Sequence, residues 1–317
     1  GVGYQLPRMG MTAFENIIPS IKKGPNTVVI GTEDGSATDS QLYVYAGKKQ
    51  STGSSVDKAG LTNGDIHVLN IPNVKTDNVF RATVGKNKKV AAEFVKIDWN
   101  TTPTAYAKES REKGTTLARV EDGHWDPTNP NVFYFVTTES NKDPIATAPN
   151  PALPTVSRDG GALWRLTFKD VKNPLKGASL EMLLNGTESL MLSKPDNLAI
   201  DENGYVLIQE DPGNNAHVAR VLAYRVSDGK LAVVAQFDKA LFAADSSTLI
   251  TIDEESSGIV NANAFLKKAG DKASYFFFNA QVHSSIAKAR PDITNAAEIE
   301  KNVVEGGQYY LLKITDW

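Results

Sequence analysis

Four short runs of apolar and aromatic residues, each ending in an acid or an amide, constrain this chain more than any other feature. They are Val28-Val29-Ile30-Gly31-Thr32-Glu33, Phe133-Tyr134-Phe135-Val136-Thr137-Thr138-Glu139, Tyr205-Val206-Leu207-Ile208-Gln209-Glu210 and Tyr275-Phe276-Phe277-Phe278-Asn279-Ala280-Gln281. Runs this short and this rich in β-branched and aromatic side chains, bounded by Gly, Pro, Asn and Asp, read as buried strands rather than helices. Their terminal polar residues stand 106, 71 and 71 positions apart. That spacing predicts a structural repeat of about 70 residues.

A second strand-like segment follows each run: Gln41–Tyr45, Ala162–Phe168, Arg220–Val226 and Gln308–Ile314. Turn formers join the elements, as in Asp201-Glu202-Asn203-Gly204 and Ser227-Asp228-Gly229-Lys230. Small antiparallel sheets repeated at such a spacing are the blades of a β-propeller, whose inner strands, here the four runs, point at a shared channel. The expected fold is therefore all-β, with residues 1–317 forming a single β-propeller domain. Lys239–Asp245 and Ile286–Lys301 have some helical character, whereas Gly47–Gly64, Asn100–Thr116 and Asn141–Pro154 read as long loops.

Composition removes whole classes of function. With 37 acidic against 34 basic residues and a net charge of −3, the chain has no basic stripe to track a phosphate backbone, so nucleic acid is not an expected partner. No apolar run reaches the roughly 18 residues of a spanning helix, so no membrane span is expected. The absence of cysteine excludes disulfides, thiolate nucleophiles and cysteine-bound zinc within these residues. No nucleophile elbow, metalloprotease helix motif, phosphate-binding glycine loop or complete EF-hand loop is present.

Acids instead gather at the ends of the expected strands: Glu33-Asp34-Gly35, Glu121-Asp122-Gly123, Pro195-Asp196-Asn197, Glu210-Asp211-Pro212-Gly213 and Asp253-Glu254-Glu255-Ser256-Ser257-Gly258. One acid beside Gly or Pro is an ordinary turn former. Recurrence at equivalent positions is different, because carboxylates converging from several blades supply the six to eight oxygens that a hard cation such as calcium takes.

Eight blocks occur in a fixed order: Phe14-Glu15-Asn16, Thr32-Glu33-Asp34-Gly35, Arg119-Val120-Glu121-Asp122-Gly123, Gly161-Ala162-Leu163-Trp164-Arg165-Leu166, Lys194-Pro195-Asp196-Asn197-Leu198-Ala199-Ile200-Asp201, Gln209-Glu210-Asp211, Glu255-Ser256-Ser257-Gly258 and Phe278-Asn279-Ala280-Gln281. In this order, from Phe14 to about His283, the chain resembles the PhoX-type alkaline phosphatases and their relatives. The resemblance implies a six-bladed propeller that hydrolyses small phosphate esters at a calcium and iron cluster in the channel mouth. It also implies a secreted, periplasmic or cell-surface location. It makes Glu15, Glu33, Glu121, Glu210 and Glu255 metal-ligand candidates, supported by Asp34, Asp122, Asp196 and Asp211.

The family's upstream blade, with its cysteine ligand and further glutamates, has no counterpart here. The chain is therefore expected to cover about four to five blades, to lack an N-terminal blade, and to need a further segment or second chain to complete the ring. Arg119 and His124 are the candidate catalytic residues. Arg119 clamps a phosphate or pairs with a neighbouring acid, and His124, like His283, serves as general acid, ligand or structural hydrogen-bonding group. Trp125 and Trp164 read as core. Two other functions fit the same residues: a calcium-dependent lactonase or esterase, and a non-catalytic, calcium-stabilised propeller for partner or surface binding.

Overall fold

The computed structural model describes residues 1–36, 39–139, 160–212, 217–283, 294–302 and 305–315. The chain divides into two compact units, Gly1–Met191 and Leu192–Trp317, which are taken in turn.

The first unit is built on β1 (Phe14–Pro19), β2 (Asn26–Glu33), β3 (Leu42–Lys48), β4 (Asp65–Asn70), β5 (Val90–Lys96), β6 (Val120–Trp125), β7 (Val132–Thr137), β8 (Ala162–Phe168) and β9 (Ala178–Leu184). These nine strands form one antiparallel sheet in the order β1-β2-β3-β4-β5-β9-β8-β7-β6. It amounts to two four-stranded meanders, β1–β4 and β6–β9, joined at their outer strands by β5, which pairs β4 on one side and β9 on the other. At the opposite ends β1 and β6 meet. There the Asn16 Nδ2 donates to Asp122 Oδ1 at 3.0 Å across the two edges.

The second unit repeats the pattern. A four-stranded meander of β10 (Pro195–Ile200), β11 (Tyr205–Glu210), β12 (Arg220–Arg225) and β13 (Lys230–Gln236) is followed by a three-stranded one of β14 (Glu254–Asn261), β15 (Ser274–Val282) and β16 (Gly306–Ile314). The first strands again adjoin, with Ser257 Oγ and the Gly258 N–H donating to Asn197 Oδ1 at 3.1 and 2.7 Å. The fold is all-β and propeller-like, with four blade-like meanders among the described residues.

All four aromatic runs are strands, β2, β7, β11 and β15, but each is the second strand of its meander rather than the innermost. The innermost strands are β1, β6, β10 and β14. They escape sequence patterning because a β-bulge interrupts each one, between Phe14 and Asn16, Val120 and Gly123, Pro195 and Leu198, and Ser257 and Val260. An extra residue in a bulge breaks the alternation that marks a strand. The second strands, flanked on both sides, carry the continuous apolar signal; β7 is buried at every position, whereas β15 leaves Phe277 exposed.

Two expected loops contain helices: Ser55–Lys58 (α1) within Gly47–Gly64, and a second within Asn100–Thr116. Between them Asp77–Thr83 forms α2, and Pro103–Lys113 is α3. The Thr102 side chain accepts from the Ala105 N–H, and Pro103 fills the first helical turn, where its missing donor costs nothing. These inserted elements, together with β5, explain the longer first step of the repeat. Helices also form at Lys239–Phe242 and Ala296–Asn302, within or overlapping the two stretches with helical character. Asn141–Pro154 lies outside the described residues.

Between the two meanders of the first unit, Val28, Ile30, Leu42 and Val44 pack in one core with Phe133, Phe135, Trp164 and Leu166. Trp164 stacks on Phe135 with ring centroids 5.9 Å apart and donates its indole N–H to Thr137 Oγ1 at 3.1 Å. Trp125 and Trp164 are thus both core residues, buried to 1% and 0% exposure. The other face of β2–β4 packs Val29, Tyr43, Tyr45 and Val68 with Tyr106 of α3.

Two glycines let aromatic rings lie against the backbone near the bulges. A Cβ on Gly31 would come 2.5 Å from the Phe14 ring, and one on Gly123 would come 2.3 Å from the Phe133 ring. Gly123→Ala is therefore expected to destabilise the protein by about 1–3 kcal/mol through overpacking. Thermal unfolding checks it; an unchanged midpoint would mean that the ring moves aside freely.

Candidate metal centre

The bulges of β1 and β6 place acids where the ladder cannot use them. Glu15 sits in the slip between Phe14 and Asn16, and Glu121 and Asp122 sit in the slip between Val120 and Gly123. Asp34 follows directly on the end of β2. Because β1 and β6 adjoin, the carboxylates of Glu15, Asp34 and Glu121 come within 4.8 Å of one another. Glu15 is exposed, Asp34 half-buried and Glu121 buried.

Among the described residues, the Arg119 guanidinium stands beside these acids. Arg119 forks onto Asp34, Nε to Oδ1 at 3.0 Å and Nη2 to Oδ2 at 3.1 Å, and its Nη2 is also 3.3 Å from Glu121 Oε1. The residue has a positive φ of 61°, a left-handed conformation that costs a non-glycine residue on the order of 1 kcal/mol. That turn is held on one side by the Thr138 N–H on the Arg119 carbonyl at 2.9 Å.

Thr138 also donates its hydroxyl to Glu121 Oε1 at 2.6 Å. Even so, the Glu121 carboxyl is pushed up to about 7, first by burial and then by the charges of Asp34 and Glu15, which outweigh Thr138 and Arg119. Among the described residues, these three carboxylates share a partly buried spot with the Arg119 guanidinium. Their donors are all hard oxygens, the chemistry that a hard cation such as calcium accepts.

The other sequence candidates of the first unit have partners of their own. Glu33, one residue before Asp34, points into the protein: its carboxylate accepts from the Thr12 hydroxyl, the Tyr43 hydroxyl at 2.9 Å and the Gln41 N–H at 3.0 Å. Burial raises its carboxyl above the ordinary range despite these bonds. Asp122 takes the Asn16 amide and its neighbour's Gly123 N–H, at 3.0 and 2.7 Å. His124 is half-buried, with Nδ1 2.7 Å from the Trp125 carbonyl oxygen, and burial holds its imidazole below the usual value.

In the second unit Asp196 occupies the β10 bulge. Glu210 is fully buried and accepts Arg220 Nε and Nη2 at 2.8 and 2.6 Å, besides the Ser193 N–H at 2.8 Å. Asp211 is raised by burial and by the charge of Glu255. Glu255 lies 3.2 Å from His283 Nε2, whose Nδ1 is 3.2 Å from Glu305. Burial pulls His283 down, but hydrogen bonds to the two glutamates prevail and raise it. Of the expected glutamates in the first unit, Glu15 and Glu121 meet, joined by Asp34. Thr138 is the contributor that the sequence reading missed; its only signal is a hydroxyl at the polar end of the second aromatic run.

Blade-like meanders whose first strands bulge beside carboxylates define an all-β, propeller-like fold. Residues 3–258 match the alkaline phosphatase PhoX family, and the chain belongs to that family. A solved structure of Pseudomonas fluorescens PhoX, in complex with vanadate, a transition state analogue, is similar at a TM-score of 0.61 and 12% identity. The match covers 86% of this chain and 50% of that one, so the chain spans half the length of the solved relative. No curated protein matches the sequence. No helix among the described residues is long and apolar enough to cross a membrane.

Proposed function

We propose that this chain is a metal-dependent hydrolase of small phosphate esters. The observation that carries the reading is the convergence of Glu15, Asp34 and Glu121 from two adjoining meanders around Arg119. Family membership supports it, and so does the vanadate bound to the Pseudomonas relative. The three carboxylates would hold calcium, and iron(III), likewise a hard acceptor of carboxylate oxygen, belongs to the same proposal. A bound cation of this kind supplies polarisation of the phosphoryl group and an activated water near neutral pH.

The chain's own residues do the rest. Arg119 presents a planar fork whose geometry matches two phosphoryl oxygens, and Asp34 keeps that fork oriented in the free protein. Thr138 fixes one oxygen of Glu121 and so restrains the carboxylate. The buried side of the cluster lowers the dielectric around it, so each of these charges acts more strongly than in water.

Elemental analysis of the purified protein, with hydrolysis assays on a phosphate monoester, a phosphodiester and a lactone, tests the proposal. Bound calcium, preferential monoester hydrolysis, loss of activity in chelator and its return with calcium are expected. Calcium at about 100 times its dissociation constant should also stabilise the fold by about 2.7 kcal/mol. A protein that binds no metal and leaves the monoester intact would refute the reading, and preferential lactone cleavage would replace it.

A further inference from the structure

Ser40 lies outside the carboxylate cluster and is fully buried. Its hydroxyl donates to the Glu33 carbonyl oxygen at 2.5 Å and accepts the Val120 N–H at 2.7 Å. Its own carbonyl oxygen accepts the Leu117 N–H at 2.8 Å. One residue thus ties the end of β2 to the start of β6. The two backbone groups that its hydroxyl joins belong to the residues immediately preceding Asp34 and Glu121.

We propose that Ser40 is a positioning residue for the metal centre, setting the separation between the carboxylates delivered by the two meanders. The segment Leu117–Val120 is held from both sides. Its own meander grips it through the Thr138 and Glu139 N–H groups on the Arg119 and Ala118 carbonyls, at 2.9 and 3.1 Å. The first meander grips it through Ser40. Without the Ser40 hydroxyl, β6 keeps its pairing with β7, so Glu121 stays in its strand but loses a fixed distance to Asp34 and Glu15. The Asn16–Asp122 bond and the Gln41 Nε2 bond to Thr116 Oγ1 at 3.2 Å remain to hold the meanders together. Loss of the hydroxyl is therefore expected to affect site geometry more than folding. Arg119 shares the dependence, because its left-handed turn lies between the Ser40 bonds at Leu117 and Val120.

The inference rests on the metal-centre reading, and calcium titration of the full chain separates the two. Wild type, Ser40→Ala, Ser40→Thr and Ser110→Ala are compared by calorimetry and thermal unfolding. Ser110 is an equally buried hydroxyl that donates within α3 to the Tyr106 carbonyl, so its removal reports the general cost of losing such a group. Ser40→Ala should weaken calcium binding about 10- to 100-fold, the usual effect of losing a group that orients a metal ligand. Ser40→Thr, which keeps the hydroxyl, should recover most of it, and Ser110→Ala should bind as wild type does.

Wild type that takes up no calcium would sink the metal-centre reading and the inference with it. Wild type that binds, with Ser40→Ala binding equally well or Ser110→Ala binding equally poorly, would overturn the role of Ser40 alone. If Ser40→Ala does not fold, the Ser40→Thr comparison decides: affinity far below wild type in a folded Ser40→Thr protein also overturns it.

Discussion

Glu121→Gln is expected to lower calcium affinity by more than about 100-fold, beyond the loss typical of an outer supporting group, without destabilising the metal-free protein. The two effects have one cause. Glutamine keeps the volume and an oxygen to accept the Thr138 hydroxyl, so packing and the 2.6 Å hydrogen bond survive. It removes one of three crowded negative charges, the buried one, where repulsion from Asp34 and Glu15 adds to the cost of burial. The metal-free fold is thereby relieved of strain, while a cation loses its least solvated anionic ligand. Calorimetric titration and unfolding in chelator, run on the same samples, check both halves. Calcium binding equal to wild type would remove Glu121 from the site. A large drop in metal-free stability would make it a structural group instead.

Arg81→Met is expected to cost about 3–5 kcal/mol, the price of leaving a buried charge without its partner. Arg81 is 6% exposed on α2, with Nη1 on the Asn185 carbonyl, Nη2 on the Gly161 carbonyl at 3.2 Å, and Nε 3.7 Å from the buried Asp77. Methionine fills much of the volume but leaves two buried carbonyls short of donors and Asp77 without a cation. Asp77 is already pushed up to about 6, chiefly by burial, with Arg81 opposing the rise and the charge of Glu139 adding to it. A carboxyl raised above its unfolded value of 3.8 holds its proton longer in the folded chain, so stability falls as pH climbs between those two values. Removing Arg81 moves the upper limit higher and deepens the loss. The deficit of Arg81→Met should thus be larger at pH 7 than at pH 5 by denaturant unfolding. Adding Asp77→Asn should restore part of it, because the pair is in contact and its effects do not add. A pH-independent deficit, unaltered by Asp77→Asn, would show that the lost carbonyl hydrogen bonds account for the whole effect.

The second strand of every meander was legible in the sequence as an unbroken apolar run, which burial on both faces demands in β7 and which β15 carries although Phe277 is exposed. The first strands were not. Phe14-Glu15-Asn16 and Val120-Glu121-Asp122-Gly123 have no strand periodicity, since the bulges that make them useful also spoil the pattern. Helix α3 was hidden for a different reason: only Tyr106 and Ser110 along it are buried, too little for an apolar stripe.

At the site, the acids were found but not their directions. Glu33 and Asp34 are adjacent, and side chains alternate along an extended chain, so one of them faces Tyr43 and the other the cluster. Nothing in the pair itself says which. Glu210 was indistinguishable from the others until Arg220, ten positions away, was seen folded across it. Partners separated by a hairpin leave no mark in a local motif.

A bulged residue makes no ladder pair, so the ladder itself places little demand on what occupies it. Glu15, exposed and in such a slip between Phe14 and Asn16, takes no part in the ladder. Heritable change can therefore retune the charge and donor set of this mouth one position at a time while the aromatic strands behind it stay untouched. The architecture thus keeps the apolar packing in the second strands apart from the exposed acid of the first, so a change in one need not disturb the other.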